Sequence, residues 1–153
     1  DRLAESGSAI IHCPTSNTFI GSGLFDMARL KGAGQRVGLA TDTGGGSSFS
    51  MLRTMASAYE IGQLRHDALH PAHLWWLATV GSAQALGIAD RVGRLEIGME
   101  ADLTVVDLAS TPAIAQRAAR ANELWEAVFP TIMMGDDRAI RATWVAGQVF
   151  AKA

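Results

Sequence analysis

Short apolar runs and stretches of helical periodicity alternate along the first half of the chain. Residues 8–12 and 37–40 are apolar runs of strand length, each followed by turn-forming residues. Residues 24–30 and 50–64 have the periodicity of helices, and in the second stretch the apolar side chains share one face. Because each strand is followed by a loop and a helix, we predict a parallel sheet with crossover helices, which is an α/β fold.

The remaining elements follow from turn and capping residues. Pro14 stops the first strand, and residues 14–23 are predicted to form a polar loop. Pro71 opens a helix, and Ser82 is expected to cap a short helix that ends at Leu86. The last predicted elements are a strand at 101–107, a helical stretch over 112–128, and a hairpin of strands at 139–145 and 148–151.

These elements divide the chain into two parts. Residues 1–88 contain the βα units, whereas residues 89–153 are richer in strands and carry the second helical stretch. Two strands cannot close a barrel and a three-stranded sheet exposes its edges, so both parts are expected to pack against further polypeptide. The chain begins at Asp1 in a pattern typical of the last turns of a helix that ends at Gly7, and we expect it to continue upstream.

Composition excludes some classes of partner. The 153 residues are 48% hydrophobic and 18% charged with a net charge of −2, so we expect a globular protein that does not bind nucleic acid. The longest mostly apolar stretch, residues 74–89, contains polar residues and is shorter than the roughly 20 residues of a membrane span, so no membrane partner is expected. The single cysteine, Cys13, excludes an internal disulfide and fits a reducing compartment.

The strongest candidate for chemistry is Asp42, which follows the second predicted strand and precedes the glycine run 44–46. A carboxylate at the carboxyl end of a strand can ligate a metal and accept a proton from a metal-bound water. One alternative is that Asp42 caps the next helix or forms an Asx-turn. A second is a phosphate cradle, which is the weaker because the run lacks a P-loop lysine and has Phe49 where a dinucleotide fingerprint needs glycine.

A histidine-rich segment gives a second candidate metal site. His66 and His70 have the spacing of a zinc-protease motif, and His73 lies close by. That motif requires both histidines on one helix face, whereas the residue before a proline is disfavoured in helical conformation. Since Pro71 follows His70, we interpret the segment as an interhelical loop and reject it as a metal site.

His12 and Cys13 end the first predicted strand, in a position similar to that of Asp42. A histidine and a cysteine do not form a metal site without further ligands. Adjacent strand residues also point to opposite faces, which argues against a Cys–His nucleophilic pair. We therefore expect His12 to be a core histidine whose hydrogen bonds are satisfied.

Distinctive short segments occur in order along nearly the whole chain. They are His-Cys-Pro-Thr-Ser-Asn at 12–17, Gly-Ser-Gly at 21–23, Gly-Leu-Ala-Thr-Asp at 38–42, the glycine- and serine-rich run 43–52, and the segments 79–87, 93–107 and 134–138. Together they resemble the carboxyl-terminal third of deaminases of the amidohydrolase superfamily. The segments 43–52 and 134–138 resemble the guanine deaminase family in particular.

The resemblance implies a fold and a metal. Residues 1–88 would be the last βα units of a (β/α)8 TIM-type barrel, and residues 89–153 the carboxyl-terminal strands of a small β-sandwich with an inserted helical stretch. The family binds one zinc ion per active site, with iron as the alternative, through an early His-x-His, a third histidine and an aspartate. Only the aspartate maps onto this chain, at Asp42, which is thus implied to be both metal ligand and catalytic residue.

The resemblance also implies an activity. It is the hydrolytic deamination of guanine to xanthine and ammonia by a metal-activated water, in a cytoplasmic enzyme that is typically a homodimer. The other metal ligands, the proton-transferring glutamate and the main purine-binding residues of the family map upstream, so the chain is expected to be active only with that part. The alternatives are a related aminohydrolase or chlorohydrolase acting on another purine or a triazine ring, and an inactive packing or dimerisation module.

Overall fold

Two parallel strands form the centre of the first part of the chain in the computed structural model, which describes residues 2–152. β1 (Ala9–His12) pairs in parallel with β2 (Arg36–Leu39), and His12 lies opposite Leu39. Both strands therefore end at the same edge. The prediction of an α/β fold with a parallel strand pair is confirmed.

Helices α1 to α4 accompany this strand pair. Their bounds are Arg2–Glu5 for α1, Pro14–Ile20 for α2, Met27–Gly32 for α3 and Met51–Leu64 for α4. The expected terminal helix included Asp1, which lies outside the described residues. α4 begins where the sequence predicts, because the Ser50 hydroxyl accepts a hydrogen bond from the Arg53 N–H at 3.3 Å.

The predicted polar loop over residues 14–23 is wrong, because most of it is helix α2. Proline stops a strand, but its fixed φ also suits the first turn of a helix, and Pro14 occupies that position. The helix ends at Gly21, whose φ of +71° is the left-handed conformation that closes many helices. The helix predicted over 24–30 is α3, which begins only at Met27 because the Asp26 side chain caps it.

The helix that begins at Pro71 runs on without a break through a π-helical turn. α5 (Pro71–Trp76) continues into the π-helical turn Leu77–Gly81 and then into α6 (Ser82–Leu86). The predicted cap at Ser82 is therefore wrong, since the residue before it is already helical. The predicted end after Leu86 is confirmed by the left-handed Gly87, at φ +73°.

A three-stranded antiparallel sheet forms the second part of the chain. Its strands are β3 (Leu103–Val106), β4 (Ile140–Val145) and β5 (Gln148–Lys152), in the spatial order β3-β4-β5. The predicted hairpin is confirmed, with Ala146 at φ +49° and Gly147 at φ +76° in the turn. Positive φ at both turn residues matches the right-handed twist of the two strands.

The predicted helix over 112–128 is two helices, α7 (Pro112–Ala118) and α8 (Leu124–Met134). Alanine-rich sequence favours helix throughout, but Glu123 is extended at φ −141° and the Glu126 carboxylate accepts a hydrogen bond from the Asn122 N–H at 2.8 Å. This hydrogen bond, from the first turn of α8 back to the residue before its N-cap, marks the start of a separate helix.

The core lies where α4, α5 and α8 pack together and against β2 and its neighbours. Its most deeply buried large side chains include Met55, Leu74, Leu77 and Ile132, each no more than 1% exposed. None of the helices in residues 2–152 is both long and apolar enough to cross a bilayer. The core thus holds α4 and the strand pair in place around the edge where β1 and β2 end.

Candidate metal centre at the carboxyl ends of the parallel strands

Asp42 lies on a tight loop at the carboxyl end of β2, three residues beyond Leu39. Its φ is +51°, in the left-handed region that residues other than glycine seldom adopt. The main-chain carbonyl of Asp42 accepts hydrogen bonds from the N–H groups of Gly45 and Gly46, at 3.0 and 2.5 Å. The loop therefore folds back on Asp42 and leaves its side chain exposed at the strand edge.

Two glycines let this loop close. A Cβ on Gly46 would lie 1.9 Å from the Thr41 carbonyl oxygen, and one on Gly45 would lie 2.9 Å from Asp42 Oδ2. The contact at Gly46 is with main chain, so that position requires the absence of a side chain, whereas the contact at Gly45 is with the end of the Asp42 side chain and would displace the carboxylate. The carboxylate of Asp42 thus lies directly over Gly45.

The first alternative interpretation of Asp42, as the cap of the next helix, is wrong because Ser50 caps α4. The Asx-turn is not what closes the loop, since the N–H groups that bond to Asp42 do so through its main-chain carbonyl. A phosphate cradle needs glycines that lead straight into a helix N-terminus. Here α4 begins only at Met51, after Ser50, so the glycines do not lead into a helix. The Asp42 carboxylate is therefore the remaining candidate for chemistry in this loop.

The start of α2 contacts the same loop. The Thr15 hydroxyl donates to the Thr41 carbonyl oxygen at 3.3 Å, and the Ser16 hydroxyl oxygen would lie 3.1 Å from a Cβ on Gly45. Thr15 and Ser16 are each 2% exposed. These two hydroxyls border the Asp42 loop, which the sequence did not indicate, because the segment was predicted as a loop.

Cys13 caps the same end of α2 and lies within electrostatic reach of Asp42. Burial raises the pKa of the Cys13 thiol, and the negative charge of Asp42 raises it further. The thiol is therefore protonated at neutral pH and is not an activated nucleophile. The rejection of a Cys–His nucleophilic pair agrees with this electrostatic setting.

His12 is a buried, neutral imidazole. It is 2% exposed and stacks on Phe25 with ring centroids 4.1 Å apart. Burial lowers the pKa of His12 to about 4, and the Asn17 side chain partly opposes that shift. The expectation of a core histidine is confirmed, but not that of full hydrogen bonding, because Nδ1 is buried without a hydrogen-bond partner among the described residues.

Comparison with known proteins assigns the family. The amidohydrolase family model matches residues 1–150. The chain belongs to the amidohydrolase family. The guanine deaminase of Escherichia coli (strain K12) is 39% identical over 149 residues, which are 97% of this amidohydrolase chain and 34% of that protein. The chain thus spans about a third of the length of this relative.

Solved amidohydrolase structures share this fold. The structure of E. coli guanine deaminase has a TM-score of 0.96 at 38% identity and covers 99% of this chain, which covers 36% of that one. An adenosine deaminase from Xanthomonas campestris with bound zinc has a TM-score of 0.79 at 28% identity, over 96% of this chain and 33% of that one. A guanine deaminase from C. acetobutylicum with bound guanine has a TM-score of 0.79 at 25% identity, over 96% of this chain and 35% of that one.

The histidine-rich segment of this amidohydrolase does not have the helical geometry of a zinc-protease motif. His66 lies in a turn at φ +56°, and His70 is the extended residue before α5, where its Nδ1 accepts a hydrogen bond from the Ala72 N–H at 3.1 Å. The two histidines therefore do not share a helix face, and the interpretation of the segment as an interhelical loop is confirmed. Across the described part of the chain, no group of three or more His, Cys, Asp or Glu residues could hold a metal.

Proposed function

We propose that this chain is the carboxyl-terminal part of a guanine deaminase, which hydrolyses guanine to xanthine and ammonia. The similarity to E. coli guanine deaminase extends over 97% of the chain and supports the substrate class. The observation that carries the proposal is the position of Asp42, a carboxylate at the carboxyl end of a parallel strand, on a loop whose closure requires a glycine at position 46. That is where proteins with such folds place their chemistry.

The two parts of the chain would each complete a larger unit. We assign residues 1–88 to the last βα units of a (β/α)8 barrel and residues 89–153 to the carboxyl-terminal strands of a β-sandwich. The parallel pair β1-β2 and the antiparallel sheet β3-β4-β5 support this division. Neither set of strands can close a barrel or a sandwich alone, so each requires strands from the upstream polypeptide.

Asp42 would be one ligand of a single zinc ion, with iron as the alternative metal. The carboxylate is exposed at the site and its charge acts on the neighbouring Cys13, so it is a free anionic oxygen donor. Residues 2–152 hold no complete set of ligands. This chain would therefore supply one metal ligand, Asp42, and the remaining ligands would come from the upstream polypeptide. The bound zinc of the X. campestris adenosine deaminase supports the identity of the metal.

Asp42 also has the chemistry of a proton carrier. A divalent metal at such a site lowers the pKa of water to about 7, so that hydroxide is available at neutral pH. The Asp42 carboxylate would accept one proton from that water and deliver it to the exocyclic nitrogen of guanine. The water oxygen would bond to C2, the bond between C2 and the exocyclic nitrogen would break, and ammonia would leave, with the second water proton retained on the ring of xanthine. Gly45 leaves the space beside the carboxylate free of a Cβ.

The test is the activity of the full-length enzyme with Asp42→Ala. We expect kcat/KM for guanine to fall by several orders of magnitude, because both a ligand and a proton acceptor are lost. Asp90→Ala, which removes an exposed carboxylate from the turn after α6, is the matched control and should leave activity unchanged. Turnover of Asp42→Ala close to that of the wild type would contradict the assignment.

The same preparation separates the other hypotheses. An enzyme that hydrolyses adenosine or a triazine in preference to guanine would favour a related aminohydrolase. Full-length protein that binds no metal and turns over none of these rings would favour a packing module. We further propose a cytoplasmic homodimer, which sedimentation and cell fractionation of the full-length protein would test.

A further inference from the structure

Asp42 needs a partner that fixes its carboxylate. It is exposed, and its main chain forms the hydrogen bonds that close the loop, so those bonds do not orient the side chain. Metal sites normally solve this with a second group that donates a hydrogen bond to the ligating carboxylate. The partner must therefore be sought among the side chains around Gly45.

Ser16 occupies the place that such a partner requires. A Cβ built on Gly45 would lie 2.9 Å from Asp42 Oδ2 and 3.1 Å from Ser16 Oγ, so both oxygens border the same small volume. The two side chains form no hydrogen bond with each other in this structure, and Gly45 leaves the volume between them free of a Cβ. A hydroxyl donates to a carboxylate with a short, charge-assisted bond, which suits this pairing.

The first turn of α2 holds Ser16 beside the Asp42 loop. The neighbouring Thr15 hydroxyl donates to the Thr41 carbonyl oxygen at 3.3 Å, one residue before Asp42. Pro14, Thr15 and Ser16 are all buried. The first turn of α2 is thus joined to the Asp42 loop by the Thr15 hydrogen bond, which places Ser16 beside Gly45.

We propose that Ser16 is a positioning residue of the metal site, whose hydroxyl turns towards Asp42 in the assembled enzyme, donates to one oxygen of its carboxylate and leaves the other oxygen free for the metal. This inference rests on the proposed function, because it takes Asp42 to be a ligand. It adds a residue of this chain that acts on the metal through Asp42 and touches neither metal nor substrate. Its signature is weaker metal retention as well as slower turnover.

The experiment measures zinc transfer from the full-length, zinc-loaded enzyme to a colorimetric chelator. We expect Ser16→Ala to release zinc about 10- to 100-fold faster, with a similar fall in kcat, because loss of such a partner typically costs that factor. Thr18→Ala is the matched control, since the Thr18 hydroxyl donates only to the Pro14 and Thr15 carbonyls of α2 itself, at 3.1 and 3.2 Å. Release from Ser16→Ala at the Thr18→Ala rate would overturn the proposal.

Two further variants keep the outcome decisive. If Ser16→Ala does not fold, Ser16→Gly replaces it, because glycine also lacks the hydroxyl and adds no group that binds zinc. Asp42→Asn separates this inference from the proposed function. If Asp42→Asn keeps zinc as the wild type does, the proposed function itself fails. If Asp42→Asn loses zinc but the Ser16 variant keeps it, only the role of Ser16 is refuted.

Discussion

The Ser82 hydroxyl accepts a hydrogen bond from the Leu39 N–H, at the end of β2, and has its one proton to share between two nearby carbonyl oxygens. It accepts from the Leu39 N–H at 3.1 Å and lies 3.1 Å from the Leu39 carbonyl oxygen, and it is also 2.8 Å from the Leu77 carbonyl oxygen. Gly38 allows this approach, since a Cβ there would lie 2.9 Å from the Ser82 Cα. A side chain of the long interrupted helix thus holds the strand that leads to Asp42.

Removal of this hydroxyl should weaken the anchoring of β2. Ser82→Ala leaves the Leu39 N–H without its side-chain partner, and we expect the free energy of unfolding to fall by about 1–3 kcal/mol. Urea denaturation of the full-length protein measures the change. Ser47→Ala, which alters an exposed serine in the Asp42 loop, should stay within about 0.5 kcal/mol of the wild type. Equal stability of the two variants would show that β2 is held by packing alone.

The Asp42 loop should not tolerate a methyl group at Gly46. A Cβ there would lie 1.9 Å from the Thr41 carbonyl oxygen and 3.0 Å from Thr15 Oγ1, so the main chain must move. We expect Gly46→Ala to lower the free energy of unfolding by about 2–4 kcal/mol, as steric strain of this kind does. The same variant should lose zinc and activity, because the displaced segment carries Asp42.

A second glycine provides the control for Gly46. Gly32 ends α3 with no atom within 4 Å of a built Cβ and no positive φ. Gly32→Ala should therefore leave the site intact and raise stability by up to about 1 kcal/mol through the helix preference of alanine. Thermal denaturation and zinc content, measured on both variants, decide the point. If Gly46→Ala behaves like Gly32→Ala, the loop is more adaptable than its geometry indicates.

Sequence patterns located the strand edge and Asp42 because each depends on local chemistry. Apolar runs between turn residues specify β1 and β2, and parallel pairing brings their carboxyl ends together whatever lies around them. The hairpin around residues 146–147 and the start of α4 near Ser50 are likewise local features, and the structure confirms both predictions.

The predictions of local structure that are wrong lie at positions where tertiary contacts determine the conformation. Pro14 can stop a strand or start a helix, and only the packing of α2 beside the Asp42 loop selects the second, which is why Thr15 and Ser16 were missed. The π-helical turn before Ser82 depends on close packing at Gly81, where a Cβ would lie 2.8 Å from the Trp76 ring and 3.0 Å from the Val37 carbonyl oxygen. No local pattern encodes those contacts.

His12 should make the stability of the protein depend on pH in a mildly acidic range. Burial lowers the pKa of the folded imidazole to about 4, whereas the unfolded chain has the ordinary value of about 6.5. Between these values the unfolded state binds a proton that the folded state does not. Stability is therefore full above about pH 6.5 and falls as the pH drops towards 4, by at most about 3 kcal/mol.

Comparison with His12→Phe isolates this contribution, because phenylalanine keeps a ring against Phe25 and does not titrate. Urea denaturation at several pH values from 7 to about 4.5 should show a smaller loss of stability in the variant than in the wild type. His66→Asn alters an exposed histidine at a left-handed position that asparagine tolerates, so it should keep the wild-type pH dependence. Parallel pH curves for wild type and His12→Phe would mean that the folded imidazole takes up its proton as readily as the unfolded one.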